Sequence, residues 1–541
     1  MSFFKSQPKL QIGQRSIAYV SQNGLSFRPG QKIVVEIDDA LEFFAPAQSY
    51  LKIDVKIDTQ SPTFNYLCQI DSLIGAQALL SEVKILNRAG VLLEEYANYP
   101  SWVNINTLYT ENETNINKKA LMEGVVAHNP EQKSWNGSTP DRFTNSQYNP
   151  YFTKDANGNA TYQTVTMCIK LDTGIMKSNK VFFNRLMGGI RFEFILNTAS
   201  QVMKQIRSAV DTANDFTPKL SHINDKGKYT GFQTIDSPAT SLFLSWDNNM
   251  MTDADRCPFC VGERIVIDGL PLEPRSITKI EMAEVGGENF IKLTIASMAN
   301  AVGNIASGAF IASTSMEGNT QLPTFEVSDV AMIMEEIKID DSYRNAMTKA
   351  LQENGSVTYN CVCATNYRHS VLASDIESTV QLNLTNSMAK SILVVPTSKN
   401  NEAIKTNMIQ FDGLRNGISG VWDNLTSYQW SYDSKLQPDR PVNTVKTQNQ
   451  TVDIYDGQYL AEIEKALALG GIPPLSYEHI KKNAVIGRAL ALENQIYSTI
   501  GKDFQLNLSF GGTQDQAKLL NCWIVHLRRF VVTSSGVQVI H

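Results

Sequence analysis

The stretch Leu51-Lys52-Ile53-Asp54-Val55-Lys56-Ile57-Asp58 alternates without a break between apolar and charged residues. A helical period of about 3.6 residues would spread those charges over every face, whereas a strand, whose side chains repeat every second residue, uses the pattern directly. Leu51, Ile53, Val55 and Ile57 then face a core, and Lys52, Asp54, Lys56 and Asp58 face away. The same pattern returns near the other end, where Phe504, Leu506, Leu508 and Phe510 alternate with Gln505, Asn507 and Ser509.

Working outward, sixteen segments read as strands. In the first half they are 32–37, 51–58, 83–87, 91–94, 165–171, 191–196, 264–267, 279–282 and 291–295. In the second half they are 330–339, 357–363, 380–384, 392–395, 428–432, 504–510 and 523–532. Arg88-Ala89-Gly90 separates two of them as a short turn, with Gly90 suited to a positive φ. Helices are fewer. Tyr459, Leu460, Ile463 and Leu467 form a stripe between 456 and 469, stopped by Gly470-Gly471 and Pro473-Pro474. Ser476 can cap a second helix running to about Asn494; a third is expected over 342–353 and a fourth around 201–212. Long polar stretches at 98–159, 213–241 and 300–323 interrupt the strands, and connections of that length usually carry function or contacts. No repeat of fixed period is visible, which disfavours solenoids and propellers.

Sixteen strands would fill two eight-stranded rolls. The expected fold class is therefore all-β, sandwiches or barrels with long loops and a few inserted helices. The expected organisation is an N-terminal arm at 1–28, a first roll at 29–325 and a second at 326–541 with a two-helix insertion near 456–494. That insertion could cover the flank of a barrel, meet a neighbouring molecule, or cap the barrel's own apolar end.

The composition bounds the function. The chain has 541 residues, too many for one ordinary core, and 42% of them are hydrophobic, enough to build more than one. Charged residues make up 19%, below the usual fraction of about 25%, as suits a molecule that buries surface against neighbours or carries a neutral polar exterior. A net charge of −6 argues against general coating of nucleic acid. The first 28 residues are an exception: they hold Lys5, Lys9, Arg15 and Arg28 and no acid, which suits either a loosely ordered terminus or an arm touching a neighbour, a membrane or packaged nucleic acid. Seven cysteines, an odd number in a long chain, do not make a secreted-type disulfide framework and read as reduced thiols. There is no apolar run near the ~18 residues of a membrane span and no signal-peptide core, so synthesis in a reducing, intracellular setting is expected.

No catalytic cluster accompanies the strands. His128, His222, His369, His479, His526 and His541 give no H-x-H or H-E-x-x-H pair, which weighs against the metal-dependent enzymes built on paired jelly rolls, although distant histidines can meet in space. Cys257-Pro258-Phe259-Cys260 has the form of a redox or zinc half-site, and Cys361-Val362-Cys363 could supply another half. Cys361 and Cys363 also alternate along a strand, as core thiols would. Gly413, Gly417 and Gly420 lack the lysine of a phosphate loop and read as a turn. Glu335-Glu336 and Asp340-Asp341 flank a strand and open a helix, where Asp341 or Ser342 can cap. Trp422, Tyr428, Trp430 and Tyr432 could stack on sugars or bases, but the last three alternate along one strand face and suit a core or a subunit interface. No catalytic, cofactor-binding or metal residue is assigned.

Five segments carry a resemblance: Y-L-K-I-D-V-K-I-D with S-L-I-G and E-V-K-I-L-N-R-A-G-V-L-L-E-E-Y-A-N-Y, within 50–99; M-G-G-I-R-F-E-F-I-L at 187–196; C-P-F-C-V-G-E-R-I-V-I at 257–267; V-S-D-V-A-M-I-M-E-E-I-K-I-D-D-S-Y at 327–343; and S-I-L-V-V-P at 391–396. Together they resemble the double jelly-roll major capsid proteins of polinton-like viruses and virophages, related in architecture to adenovirus and tectivirus capsids. The resemblance is one of pattern, spread over roughly 40–530. It implies two eight-stranded antiparallel jelly rolls side by side, in a non-enzymatic structural subunit of the virion that forms homotrimers of six similar barrels and tiles an icosahedral shell. Its implied partners are itself, penton and minor capsid proteins, and a membrane or DNA beneath the N-terminal arm; no cofactor or small-molecule substrate is implied. The alternatives are a jelly-roll carbohydrate-binding protein and, further off, a cupin-like metal enzyme.

Overall fold

A computed structural model describes residues 11–58, 67–71, 74–110, 160–206, 264–267, 275–295, 324–398, 425–444, 457–470, 484–492, 495–512, 517–533 and 536–541, with shorter described pieces within 119–154, 219–245 and 304–313 and at residue 420. Among the described residues, sixteen strands give two rolls their repeated order, and two more, Ser26–Phe27 and Gly536–Ile540, each add to one sheet of a roll. The first roll comprises β1 (Gln11–Val20), β2 (Lys32–Ile37), β3 (Tyr50–Asp58), β4 (Leu80–Asn87), β5 (Leu92–Ala97), β6 (Val165–Ile169), β7 (Ile190–Leu196) and β8 (Thr324–Ile339). The second comprises β9 (Ser356–Val371), β10 (Glu377–Leu382), β11 (Ala389–Ser398), β12 (Leu425–Tyr432), β13 (Lys435–Asn443), β14 (Ile486–Ala489), β15 (Phe504–Phe510) and β16 (Lys518–Thr533).

The pairing order is the same in both. In the first roll one sheet runs β1-β8-β3-β6 and the other β2-β7-β4-β5; in the second the sheets run β9-β16-β11-β14 and β10-β15-β12-β13. Strand for strand, the first, eighth, third and sixth pair in one sheet, and the second, seventh, fourth and fifth in the other. All pairs are antiparallel. That order is a jelly roll, found twice in one chain.

The opening octet sits as its pattern requires. Leu51, Ile53, Val55 and Ile57 are buried, and Lys52 reaches out to Asp329 at 2.6 Å. Asp329 lies at φ 47, where the β3–β8 register shifts between Ser328 and Ala331, so one left-handed residue forms a bulge in the long strand β8. Gly90 takes its expected positive φ, 89.

Thirteen of the sixteen segments expected from sequence are roll strands; 264–267, 279–282 and 291–295 are not. They belong to a separate six-stranded sheet, whose members include Arg275–Val285 and Glu288–Ile295, inserted between β7 and β8. The three roll strands missing from the expectation are β1, β13 and β14. β1 corrects the arm at 1–28, because Gln11–Val20 pairs along β8 in the first sheet. β8 corrects the boundary at 325/326, because it is the last strand of the first roll. We propose 11–339 and 356–541 as the two units, joined by helix α2 (Asp341–Asn354), which ends on Gly355 at φ 71.

The helices also differ in part. α1 (Tyr99–Thr110) occupies the start of the stretch expected to be polar loop, and Tyr99, Trp102, Val103 and Ile105 are buried. α2 matches its expectation at 342–353, although Asp340, not Asp341 or Ser342, stands at the N-cap position. α3 (Gly457–Leu469) is present as expected. The helix expected over 476–494 is corrected by β14, whose Ile486–Ala489 pairs with β11; residues 471–483 lie outside the described residues. Of the helix expected at 201–212, the described part is a single turn, Ala199–Val202, followed by a strand, Met203–Ile206; residues 207–212 lie outside the described residues. α3 lies on its own roll: Tyr459 donates to the Val485 carbonyl at 2.8 Å, and a Cβ on Gly487 would come 2.9 Å from the Cβ of Ala466. Glycine in β14 is what lets the helix settle on the strand.

Candidate functional site

The two rolls meet along a seam where the edge strand β5 faces β9. Buried apolar residues of both rolls join there into one continuous core, from Phe27 in the first to Val532 in the second. Tyr96 of β5 and Trp102 of α1 pack on Trp523 of β16, with ring centroids 6.3 and 5.3 Å away. Phe182 and Phe183 pack edge-on against Tyr359 of β9 at 5.1 and 5.7 Å. Polar groups cross as well: Asn98 donates to Asn521 Oδ1 at 2.6 Å, Trp523 Nε1 to Ser101 Oγ at 3.3 Å, and Lys180 Nζ to the Asn360 carbonyl at 2.8 Å. A junction this apolar and interlocked joins the rolls as one block rather than as beads on a linker.

Within the seam lies a buried cluster of Glu94, Cys361 and Cys363, whose donor atoms all fall within 4.8 Å of one another. Glu94 stands opposite Ile85 in the β4–β5 ladder. Its Oε1 accepts from the Ile175 backbone N–H at 2.9 Å and from Cys363 Sγ at 2.8 Å, with Cys361 Sγ at 3.4 Å. The two sulfurs are 3.4 Å apart. Oε2 is buried and, among the described residues, has no hydrogen-bond partner. Burial pushes the Glu94 carboxyl and both thiols upward. Arg528, directly opposite Cys361 in the β9–β16 ladder, pulls the other way. Cys361 and Cys363 thus share one buried face, as their alternation implied. Glu94 was missed, although a signal existed: adjacent Glu94 and Glu95 in any strand must point to opposite faces, so one of them turns inward.

The remaining singled-out residues fall elsewhere. Cys257, Cys260, Gly413, Gly417, Trp422, His128 and His479 lie outside the described residues, and Gly420 packs its backbone against Ala484. Tyr428 and Trp430 are buried in the second roll's core, while half-buried Tyr432 stacks on Phe504 at 4.9 Å, so this strand is no exposed stacking platform. His526 and His541 do approach each other in space, with ring centroids 6.2 Å apart. Among the described residues neither joins a group of three metal-binding side chains. Arg15 pairs with Glu336 across β1 and β8, and Ser16 donates to Glu335 at 2.5 Å, so that acidic pair is engaged within the sheet. Among the described residues no helix is long and apolar enough to cross a membrane.

No protein-family model and no curated protein matches the chain. Solved structures do resemble it in outline. VP54 of PBCV-1, as fitted into a reconstruction of the virophage Sputnik, gives a TM-score of 0.48 at 10% identity, covering 100% of each chain. The Faustovirus major capsid protein gives 0.47 at 9% identity, over 98% of this chain and 92% of that one. The mavirus major capsid protein gives 0.37 at 9%, over 100% and 93%.

Proposed function

We propose that the chain is a structural subunit of an icosahedral virus shell, a major capsid protein that works by associating with copies of itself and not by catalysis. The observation that carries this reading is the repetition of one eight-strand order in both halves, joined at a seam with a shared core. Two similar barrels held rigidly side by side give a block with two near-equivalent lobes. Three such blocks around an axis present six lobes, an outline that tiles a surface in hexagons while needing only closed three-fold contacts.

The roll interiors support structure over catalysis. The second roll is packed with Trp430, Tyr428, Phe504 and Leu506, and the first with Val35, Ile53, Phe192 and Phe194, as suits a building block. Penton and minor capsid proteins, and a membrane or DNA on the inner side, are the further partners this role entails. Mass photometry of the purified chain tests the proposal. A species of three times the 60.1 kDa chain mass, persisting at nanomolar dilution, is expected; a stable monomer would overturn it.

A further inference from the structure

We propose that Glu94, Cys361 and Cys363 form a zinc site that fastens the first roll to the second. The site goes beyond a shell-building role and stands or falls separately from it. Its donor set is two thiolates and a carboxylate, the borderline-soft chemistry that suits zinc. Zinc bonds of ~2.3 Å to sulfur and ~2.0–2.2 Å to oxygen put tetrahedral donors about 3.5–3.8 Å apart. The Cys361–Cys363 and Cys361–Glu94 separations, both 3.4 Å, fall within a few tenths of an ångström of that spacing, and the 2.8 Å Cys363–Glu94 contact opens as the metal replaces the thiol proton.

One further observation points to a ligand. Glu94 Oε2 is fully buried without a partner among the described residues, and a group left so costs free energy unless something meets it. A carboxylate bound through both oxygens would complete four donors. The charges also close: two thiolates, a carboxylate and zinc sum to minus one, and Arg528 opposite Cys361 supplies the balancing positive charge. Gly174 seals the site, since a Cβ there would lie 2.6 Å from Glu94 Oε1 and 2.7 Å from Cys363 Sγ. Binding releases the two thiol protons, and any carboxyl proton, to solvent; no electron is transferred.

The test uses the full chain bearing Cys257→Ser and Cys260→Ser, which removes the other candidate thiol pair. Purified without chelator and supplied with zinc chloride, it should retain one zinc per chain by elemental analysis after dialysis. Adding Cys361→Ser and Cys363→Ser should abolish retention, and Glu94→Gln should weaken it at least tenfold in competition with a chromophoric chelator. X-ray absorption at the zinc edge on the Cys257→Ser/Cys260→Ser chain keeps the test independent of whether the further variants fold. Two sulfur scatterers at about 2.3 Å with oxygen at about 2.0 Å are expected. Failure to retain zinc, a shell with no sulfur, or zinc retained after loss of Cys361 and Cys363 would each overturn the proposal.

Discussion

At the scale of single residues, Gly174 leaves the seam little freedom. A Cβ on Gly174 would come within 2.4 Å of the Val362 carbonyl as well as meeting Glu94 and Cys363, and the carbonyl belongs to backbone that cannot swing away. Gly174→Ala should therefore cost about 1–3 kcal/mol, read as a lower urea midpoint with unchanged slope. His526 offers a second test. Burial first, then the Arg528 charge, hold its pKa down at about 3, against 6.5 for a free imidazole. A depressed pKa means that the stability tied to the neutral ring is complete above pH 6.5 and drains away as pH falls toward 3. Between about pH 7 and about pH 4.5 the native chain should lose about 2–3 kcal/mol more than His526→Gln at equal protein concentration, measured by urea titration. Both residues show how much of the site was legible. The pairing of Cys361 with Cys363 follows from strand alternation, but Glu94 and Gly174 reach the seam, and His526 its buried place in β16, through ladders and loops far away in sequence, which no local pattern records.

Among the elements, legibility follows amphipathicity. The octet at 51–58 and the run at 504–510 each have one wet and one dry face, and both are strands within a residue of expectation. α3 was readable because Tyr459, Leu460, Ile463 and Leu467 form a stripe, of which Tyr459, Ile463 and Leu467 are buried. α1 was not, because residues 99–106 are buried on every side and so show no stripe. β13 contains Pro438 and Pro441, which argue against a strand but are tolerated at the sheet edge it occupies. β14 is four residues long, too short to display alternation. Its place depends on α3, and a mostly buried ion pair ties them: Arg488 donates to Glu462 at 2.6 Å and to Gln437 at 3.2 Å. Glu462→Ala should cost about 2–3 kcal/mol, below the ~3–5 of a fully enclosed pair because Arg488 is partly exposed. The apolar double variant Glu462→Leu/Arg488→Met should recover most of that loss in the same denaturation assay.

For the whole molecule, the sixteen expected strands equal in number the two repeated eight-strand orders but differ in membership. Three segments read as roll strands belong to the inserted six-stranded sheet, while three roll strands carry little pattern of their own. Alternation reports that a face is buried, not which sheet buries it. The division between units was displaced for the same reason: β8 and β9 are both long apolar strands, and only pairing shows that β8 closes the first roll while β9 opens the second. What the pairing establishes is a duplicated roll with a common core, and from that the proposed assembly follows. Electron cryomicroscopy of the purified particle is the most direct measurement. Three-fold class averages with six lobes of similar size are predicted, every chain supplying two neighbouring lobes. Particles with two lobes, or with a symmetry other than three-fold, would contradict the account.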